Sequence, residues 1–343
     1  MKRINLALQG GGAHGAFTWG VLDRLLDDPQ IEIAAISGTS AGALNGSALK
    51  AGMAIGGRQG ARDNLDWLWE QVGGVGDLRL THWMMPMIPA FQAWQDSIED
   101  LIPISASELA SRVFSPYAFG PFYSNPLRRI AERFQYTHIC ADHAPALFIS
   151  ATNVRTGKIR VFSGQEICTD VLLASACLPT VFQAVEIIDQ GTGIKEAYWD
   201  GGYSGNPALF PLFAPEFPDD VVIVNINPLR REDVPKTAND IQNRINEISF
   251  NSSLLRDLRA IAFVKKLIGN NSVEKGVMKN VLVHMIADDD LMNRLSASTK
   301  MTPTPGLLEA LKSAGQTAAD QFLANHRKDL NHTDTVDLLA LYQ

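Results

Sequence analysis

Residues 4–15 read Ile-Asn-Leu-Ala-Leu-Gln-Gly-Gly-Gly-Ala-His-Gly, and residues 31–42 read Ile-Glu-Ile-Ala-Ala-Ile-Ser-Gly-Thr-Ser-Ala-Gly. Each begins with a short apolar run, Ile4–Leu8 or Ile31–Ile36, and ends in a turn of very small residues. Helical patterns follow, over Ala16–Leu26 and from about Ala43 to Ala51. Strand, tight turn and helix, met twice in fifty residues, is the order of a parallel sheet with crossover helices. Apolar runs that are continuous rather than alternating suit strands covered on both faces. The expected class is α/β.

Outward from this core, strands are expected at Ala146–Ala151, Lys158–Ser163 and Val221–Asn225, with Val281–Ile286 near the end of the sheet. Between Val72 and Asn125 the pattern loosens. Trp83–Trp94 crowds Trp, Met and Pro together, and prolines recur at 86, 89, 103, 116, 121 and 126. This segment, about 74–125, reads as an insertion with short helices over one end of the sheet. Ile241, Ile245, Ile248, Leu255, Leu258 and Ala262 recur at helical spacing, and Gly306–Leu339 also reads as helical. The division is then a main domain over 1–235 and a mainly helical C-terminal extension over 236–343 packed on it.

Composition narrows the function. Of 343 residues, 46% are hydrophobic and 20% charged, as in a soluble chain with a large core. Lys plus Arg is 30 against 37 for Asp plus Glu, a formal net charge of −7, which disfavours a general nucleic-acid binder. Cys140, Cys168 and Cys177 form neither a zinc pattern nor a disulfide framework. The basic start is followed by too short an apolar run for a secretory signal. No stretch nears the roughly 20 apolar residues of a bilayer span, so the expectation is a cytoplasmic, soluble protein. No H-E-x-x-H, paired-cysteine or EF-hand pattern occurs, and Asp288-Asp289-Asp290 reads as a solvated loop. Neither a metal nor a cofactor is implied.

Gly38-Thr39-Ser40-Ala41-Gly42 lies between a strand and a helix, the setting in which G-x-S-x-G becomes a nucleophile elbow. Small neighbours keep the Ser40 hydroxyl clear, and the helix start adds partial positive charge. Gly10, Gly12 and Gly15 spell G-x-G-x-x-G, which a dinucleotide fold also uses. That fold wants an acidic residue about 20 positions on, at the end of the second strand. Here that strand runs into Ser37-Gly38-Thr39-Ser40, and the nucleotide reading fails. Bare amides at a helix start also suit the oxyanion formed when a hydroxyl attacks an ester. A base is needed, and Asp200 before Gly201-Gly202 is the candidate; spacing alone does not separate that role from an ordinary Asp-Gly turn.

Taken together, these motifs resemble the patatin-like phospholipase family. The resemblance rests on Gly10–Gly15, Gly38–Gly42, Asp200-Gly201-Gly202, and on Ala174-Ser175-Ala176-Cys177-Leu178-Pro179, similar to that family's Ala-Ser-x-x-x-Pro helix start. It spans roughly residues 4–228. It implies a three-layer α/β/α sandwich and a Ser–Asp dyad, with Ser40 the nucleophile and Asp200 its general base. The implied oxyanion hole is made by the amides of Gly10, Gly11 and Gly12, with Ala41 beside the serine. Family members often have Asp before the triple glycine and Arg where this chain has Gln9 and His14; neither difference removes a backbone amide. His14 is expected to line the pocket. The implied activity is acyl-ester hydrolysis on a lipid, as a phospholipase A or lysophospholipase. A carboxylesterase or polyester depolymerase is the alternative, and a non-catalytic lipid-binding or scaffold protein the rival of a different class. His284 offers an in-class rival, a Ser…Asp…His triad. Helix 241–268 carries Arg244, Arg256, Arg259, Lys265 and Lys266 against Glu247 and Asp257. That surplus fits transient contact with an anionic membrane surface or a solvated charged face.

Overall fold

The first apolar run forms β1 (Lys2–Leu8), an inner strand of a mixed sheet, and the helix after the glycine turn is α1 (Gly15–Asp27). The second unit gives β2 (Ile31–Gly38) and α2 (Ala41–Gly73). This computed structural model describes residues 1–79, 115–190, 192–274 and 276–342. The remaining elements are β3 (Ala146–Asn153), β4 (Ile159–Ser163), α3 (Thr169–Ser175), β5 (Val185–Ile188), β6 (Lys195–Asp200), β7 (Asp220–Val224), α4 (Ala238–Gly269), β8 (Leu282–Ile286) and α5 (Pro305–His326), with short helical turns between them.

The strand order is β5-β6-β3-β2-β1-β7-β8, with β4 also paired to β3. The five strands from β3 to β8 run parallel, while β4, β5 and β6 are antiparallel additions. Alternation along the strands feeds two cores. Ile4, Leu6 and Leu8 join α1, α2 and α5 on one face; Ala7, Ala35, Val221 and Ile223 join Leu254, Leu258 and Ile261 of α4 on the other. This is the expected three-layer α/β/α sandwich with a mostly parallel sheet and a helical C-terminal part.

Several boundaries differ from the reading of the sequence. The second helix does not stop near Ala51: it runs to Gly73 through a kink at Gly56–Gly57, where a φ of 61° at Gly57 needs a glycine. The C-terminal helix ends at His326, short of Leu339. The β5–β6 hairpin was not expected at all. The stretch Trp83–Trp94 lies outside the described residues; of the 74–125 segment, Pro116–Phe122 forms a helical turn.

Register positions the functional turns. Leu8 pairs with Gly38 on one side and Val224 on the other, so three parallel strands end level. On β3, residues 148 and 149 pair with both β2 and β4, so those strands hold opposite edges; residues 151 and 152 pair with both β4 and β6. Strand β6 therefore lies on the same edge of β3 as β2 and takes over where β2 turns away. That takeover brings residue 200 to the end of β2.

Candidate active site

Ser40 is built into a sharp turn. It has φ 54° and ψ −121°, a left-handed conformation that costs a non-glycine residue about 1–3 kcal/mol and persists only where surroundings enforce it. They do. A Cβ at Gly42 would stand 2.1 Å from the Leu8 carbonyl oxygen, and one at Gly38 2.6 Å from that of Gly42. Thr39 N–H donates to Leu8 O at 3.2 Å, and Thr39 Oγ1 donates to Gly205 O at 2.7 Å. Ser40 N–H donates to Ser175 Oγ at 2.9 Å, while Ser175 Oγ donates to Ser150 O at 2.7 Å. Ser175 is the last residue of α3, so the Ala-Ser-x-x-x-Pro stretch closes a helix instead of starting one.

Asp200 ends β6 beside Ser40 and is almost wholly buried. Its Oδ1 accepts the Gly202 N–H at 2.8 Å. Burial pushes its pKa up to about 7, against smaller downward pulls from the Gly202 amide and the Ser40 hydroxyl. The Ser40 contact is loose: Oδ2 has no hydrogen bond of ordinary geometry among the described residues. Gly201 and Gly202 are required by space, since added Cβ atoms would meet Ser150 O at 2.2 Å and the Phe250 ring at 2.9 Å.

The glycine turn lies against the elbow, where a Cβ on Gly10 would reach Ser40 Cβ at 2.7 Å and one on Gly15 would reach Ala41 Cβ at 2.6 Å. Gly12 has φ 60° and abuts the Lys300 carbonyl, 2.3 Å from where its Cβ would be. Of the four donors expected for an oxyanion, the N–H groups of Gly11, Gly12 and Ala41 have no acceptor among the described residues. Gly10 departs from the expectation, because its N–H donates to Asn206 Oδ1 at 2.7 Å and is closed to substrate.

With this geometry in place, the profile of the patatin-like phospholipase family matches residues 6–213. The chain belongs to that family. A solved structure to which the chain is similar is that of VipD from Legionella pneumophila, 13% identical, with a TM-score of 0.43; the match covers 95% of this chain and 67% of that one. No curated protein matches the sequence significantly.

In this patatin-like chain a narrow cleft opens at Gly12, Ser40 and Ala41 and runs between Leu44, Leu68, Trp69, Val72, Leu127, Leu178, Phe182 and Met301. Only about 50 Å³ of it is wide enough for water, and its walls are almost wholly apolar. His14 does not line it. The ring is buried, with Nε2 2.8 Å from Thr299 Oγ1. Because that hydroxyl donates to Ser296 O, His14 must donate through Nε2. Burial first, then the charge of Lys300, pull its pKa down to about 3, so it is neutral and offers no cation to a phosphate. His284 is also elsewhere: it sits in β8 with Nε2 2.9 Å from Asp220 Oδ1 and Nδ1 3.1 Å from Thr335 Oγ1. Both nitrogens are occupied, two strands away from β1, so His284 does not supply the triad rival.

Sequence reasoning missed Ser175, Asn206, Asn227, Thr299 and Lys300 as parts of the site. Asn206 follows the base loop by few residues and lies between Gly205 and Pro207, a faint turn signal. Nothing local marks Lys300. Among the described residues no cluster of three or more His, Cys, Asp or Glu is placed to hold a metal, and no helix is long and apolar enough to cross a membrane.

Proposed function

We propose that this protein is a serine hydrolase of lipid acyl esters that works through a Ser40–Asp200 dyad. The observation that carries the reading is the buried Oδ2 of Asp200, without a hydrogen-bond partner among the described residues, beside a serine held in a strained turn and next to a glycine turn whose Gly11 and Gly12 N–H groups have no acceptor among those residues. Asp200 accepts the hydroxyl proton as Ser40 Oγ attacks the acyl carbonyl carbon. The carbonyl oxygen becomes an oxyanion held by Gly11, Gly12 and Ala41 N–H groups. The C–O bond to the leaving alcohol breaks, the alcohol takes the proton from Asp200, and an acyl-serine remains. Water, deprotonated by the same carboxylate, then releases the fatty acid and restores Ser40.

The narrow apolar cleft supports an acyl chain as the part of the substrate that is bound deepest. Labelling with a fluorophosphonate tests the reading: wild type should react and Ser40→Ala should not. Asp200→Asn should fold but label at least about a hundredfold more slowly, since its nucleophile lacks a base. An unlabelled wild type would leave the scaffold alternative standing. A panel of phospholipids, lysophospholipids, simple esters and polyesters then separates the substrate classes.

A lipid surface as the place of action is supported by α4. Ile241, Ile245, Ile248 and Phe263 are exposed along one stripe, and Arg256, Arg259 and Lys266 share it. The acids of this helix middle turn inward, Glu247 into a buried ion cluster and Asp257 onto the Leu209 N–H. The cations of the sequence reading are thus only partly those on the face, because Arg244 joins Glu247 and Lys265 pairs with Asp334. Flotation with anionic vesicles should be strong at low salt and weak at high salt. Ile245→Glu with Ile248→Glu should abolish it while leaving hydrolysis of a soluble ester intact.

A further inference from the structure

Three cations converge on one buried carboxylate behind the glycine turn. Glu247 accepts from Arg231 at 2.7 and 2.8 Å, from Arg244 at 3.4 Å and from Lys300 at 3.2 Å. Lys300 also donates to Asn227 Oδ1 at 3.4 Å. Asn227 Nδ2 donates in turn to Gly10 O at 2.7 Å. That carbonyl belongs to the same peptide plane as the Gly11 N–H. The turn is held from other sides as well: Gln9 Oε1 accepts from the N–H groups of Ile226 and Asn227, and Lys300's own carbonyl abuts Gly12. Lys300 lies outside residues 6–213, so the C-terminal part of the chain supplies this arm.

We propose that Lys300 is a positioning residue for the hydrolysis, acting through the Asn227 amide to polarise the Gly10–Gly11 peptide and strengthen the Gly11 N–H as an oxyanion donor; this rests on the dyad reading above. A chain of hydrogen bonds polarises each successive member, and the effect is largest where water is excluded. The ammonium draws density from Asn227 Oδ1, which makes Nδ2–H a better donor. A stronger bond to Gly10 O then increases the C=O···H–N dipole of that peptide. Positive charge exceeds negative at the cluster by two, in the direction that favours an oxyanion in front of it. Ground-state ester, which carries no full charge, gains far less.

The test is a cycle of Lys300→Met, Asn227→Ser and the double variant in the full chain. Lys300→Met leaves Glu247 paired with two arginines, so folding should persist. The relay predicts kcat lowered about tenfold, KM within twofold, and a matching loss of affinity for an acyl trifluoromethyl ketone, which forms an oxyanion on a serine. Affinity for the corresponding unreactive ether should not move. The double variant should lose no more than Asn227→Ser alone, and Lys300→Arg should recover part of the loss. Independently of turnover, the Gly11 amide proton should shift upfield in Lys300→Met while that of Gly202 stays in place. Unchanged kcat, an unmoved Gly11 resonance, or equal loss of ketone and ether affinity each overturns the proposal. An upfield Gly11 shift in a chain that never reacts with fluorophosphonate would uphold the relay and overturn the hydrolase reading.

Discussion

Asp200 makes the pH behaviour of this molecule calculable at the residue scale. In the proposed dyad Asp200 must be ionised, and burial pushes its pKa up to about 7. The kcat/KM for a non-ionising ester should therefore climb about tenfold per pH unit below that value and level off above it. Stability should move the other way. A carboxyl whose folded pKa exceeds its ordinary 3.8 binds the proton more tightly in the folded chain. Its contribution is complete below pH of about 4 and is lost as pH rises to about 7. Chemical denaturation at pH 5 and pH 8 checks this: the wild type should lose up to about 3 kcal/mol relative to Asp200→Asn, at about 1.4 kcal/mol for each of the roughly two pH units between pH 5 and the folded pKa. Gly42→Ala is the steric counterpart. Its Cβ would overlap the Leu8 carbonyl at 2.1 Å, so the turn must shift, and reactivity of Ser40 should collapse even where the chain still folds.

At the scale of elements, His284 belongs to the architecture. His284→Ala should lower stability by about 2–4 kcal/mol, read by denaturant unfolding, because it opens a cavity and takes a partner from buried Asp220. Ester hydrolysis per folded molecule should stay unchanged. The β1 and β2 units were legible because runs covered on both faces are continuously apolar and their turns are rich in glycine. Strands β5 and β6 were not, since Val185–Ile188 and Lys195–Asp200 lie at the sheet margin, are short and mix Glu, Lys and Asp with apolar residues in no clear period. Missing β6 hid the reason Asp200 arrives at Ser40. For the glycine turn, type and spacing pointed to Gly11 and Gly12, but the capture of the Gly10 N–H by Asn206 depends on a contact across 196 positions. Long-range polar pairing of that kind leaves no local pattern.

At the scale of the whole molecule, the C-terminal third is woven into the main body. Strand β8 extends the parallel sheet beyond β7, and α5 packs along α1. A chain ending at residue 235 should lose an edge strand, the whole α4 layer and the partner of α1. It is expected to be insoluble or to lack a cooperative thermal transition, which expression of 1–235 beside the full chain would show. At two points of the α1–α5 seam no side chain separates the backbones: a Cβ at Gly20 would lie 1.9 Å from Lys312 O, and one at Gly315 2.0 Å from Phe17 O. Two rods in backbone contact cannot slip or rotate past one another without collision. Since α1 follows directly on the glycine turn that carries the proposed Gly11 and Gly12 donors, α5 serves as a splint, and whatever grips that distal rod also grips the proposed reaction centre.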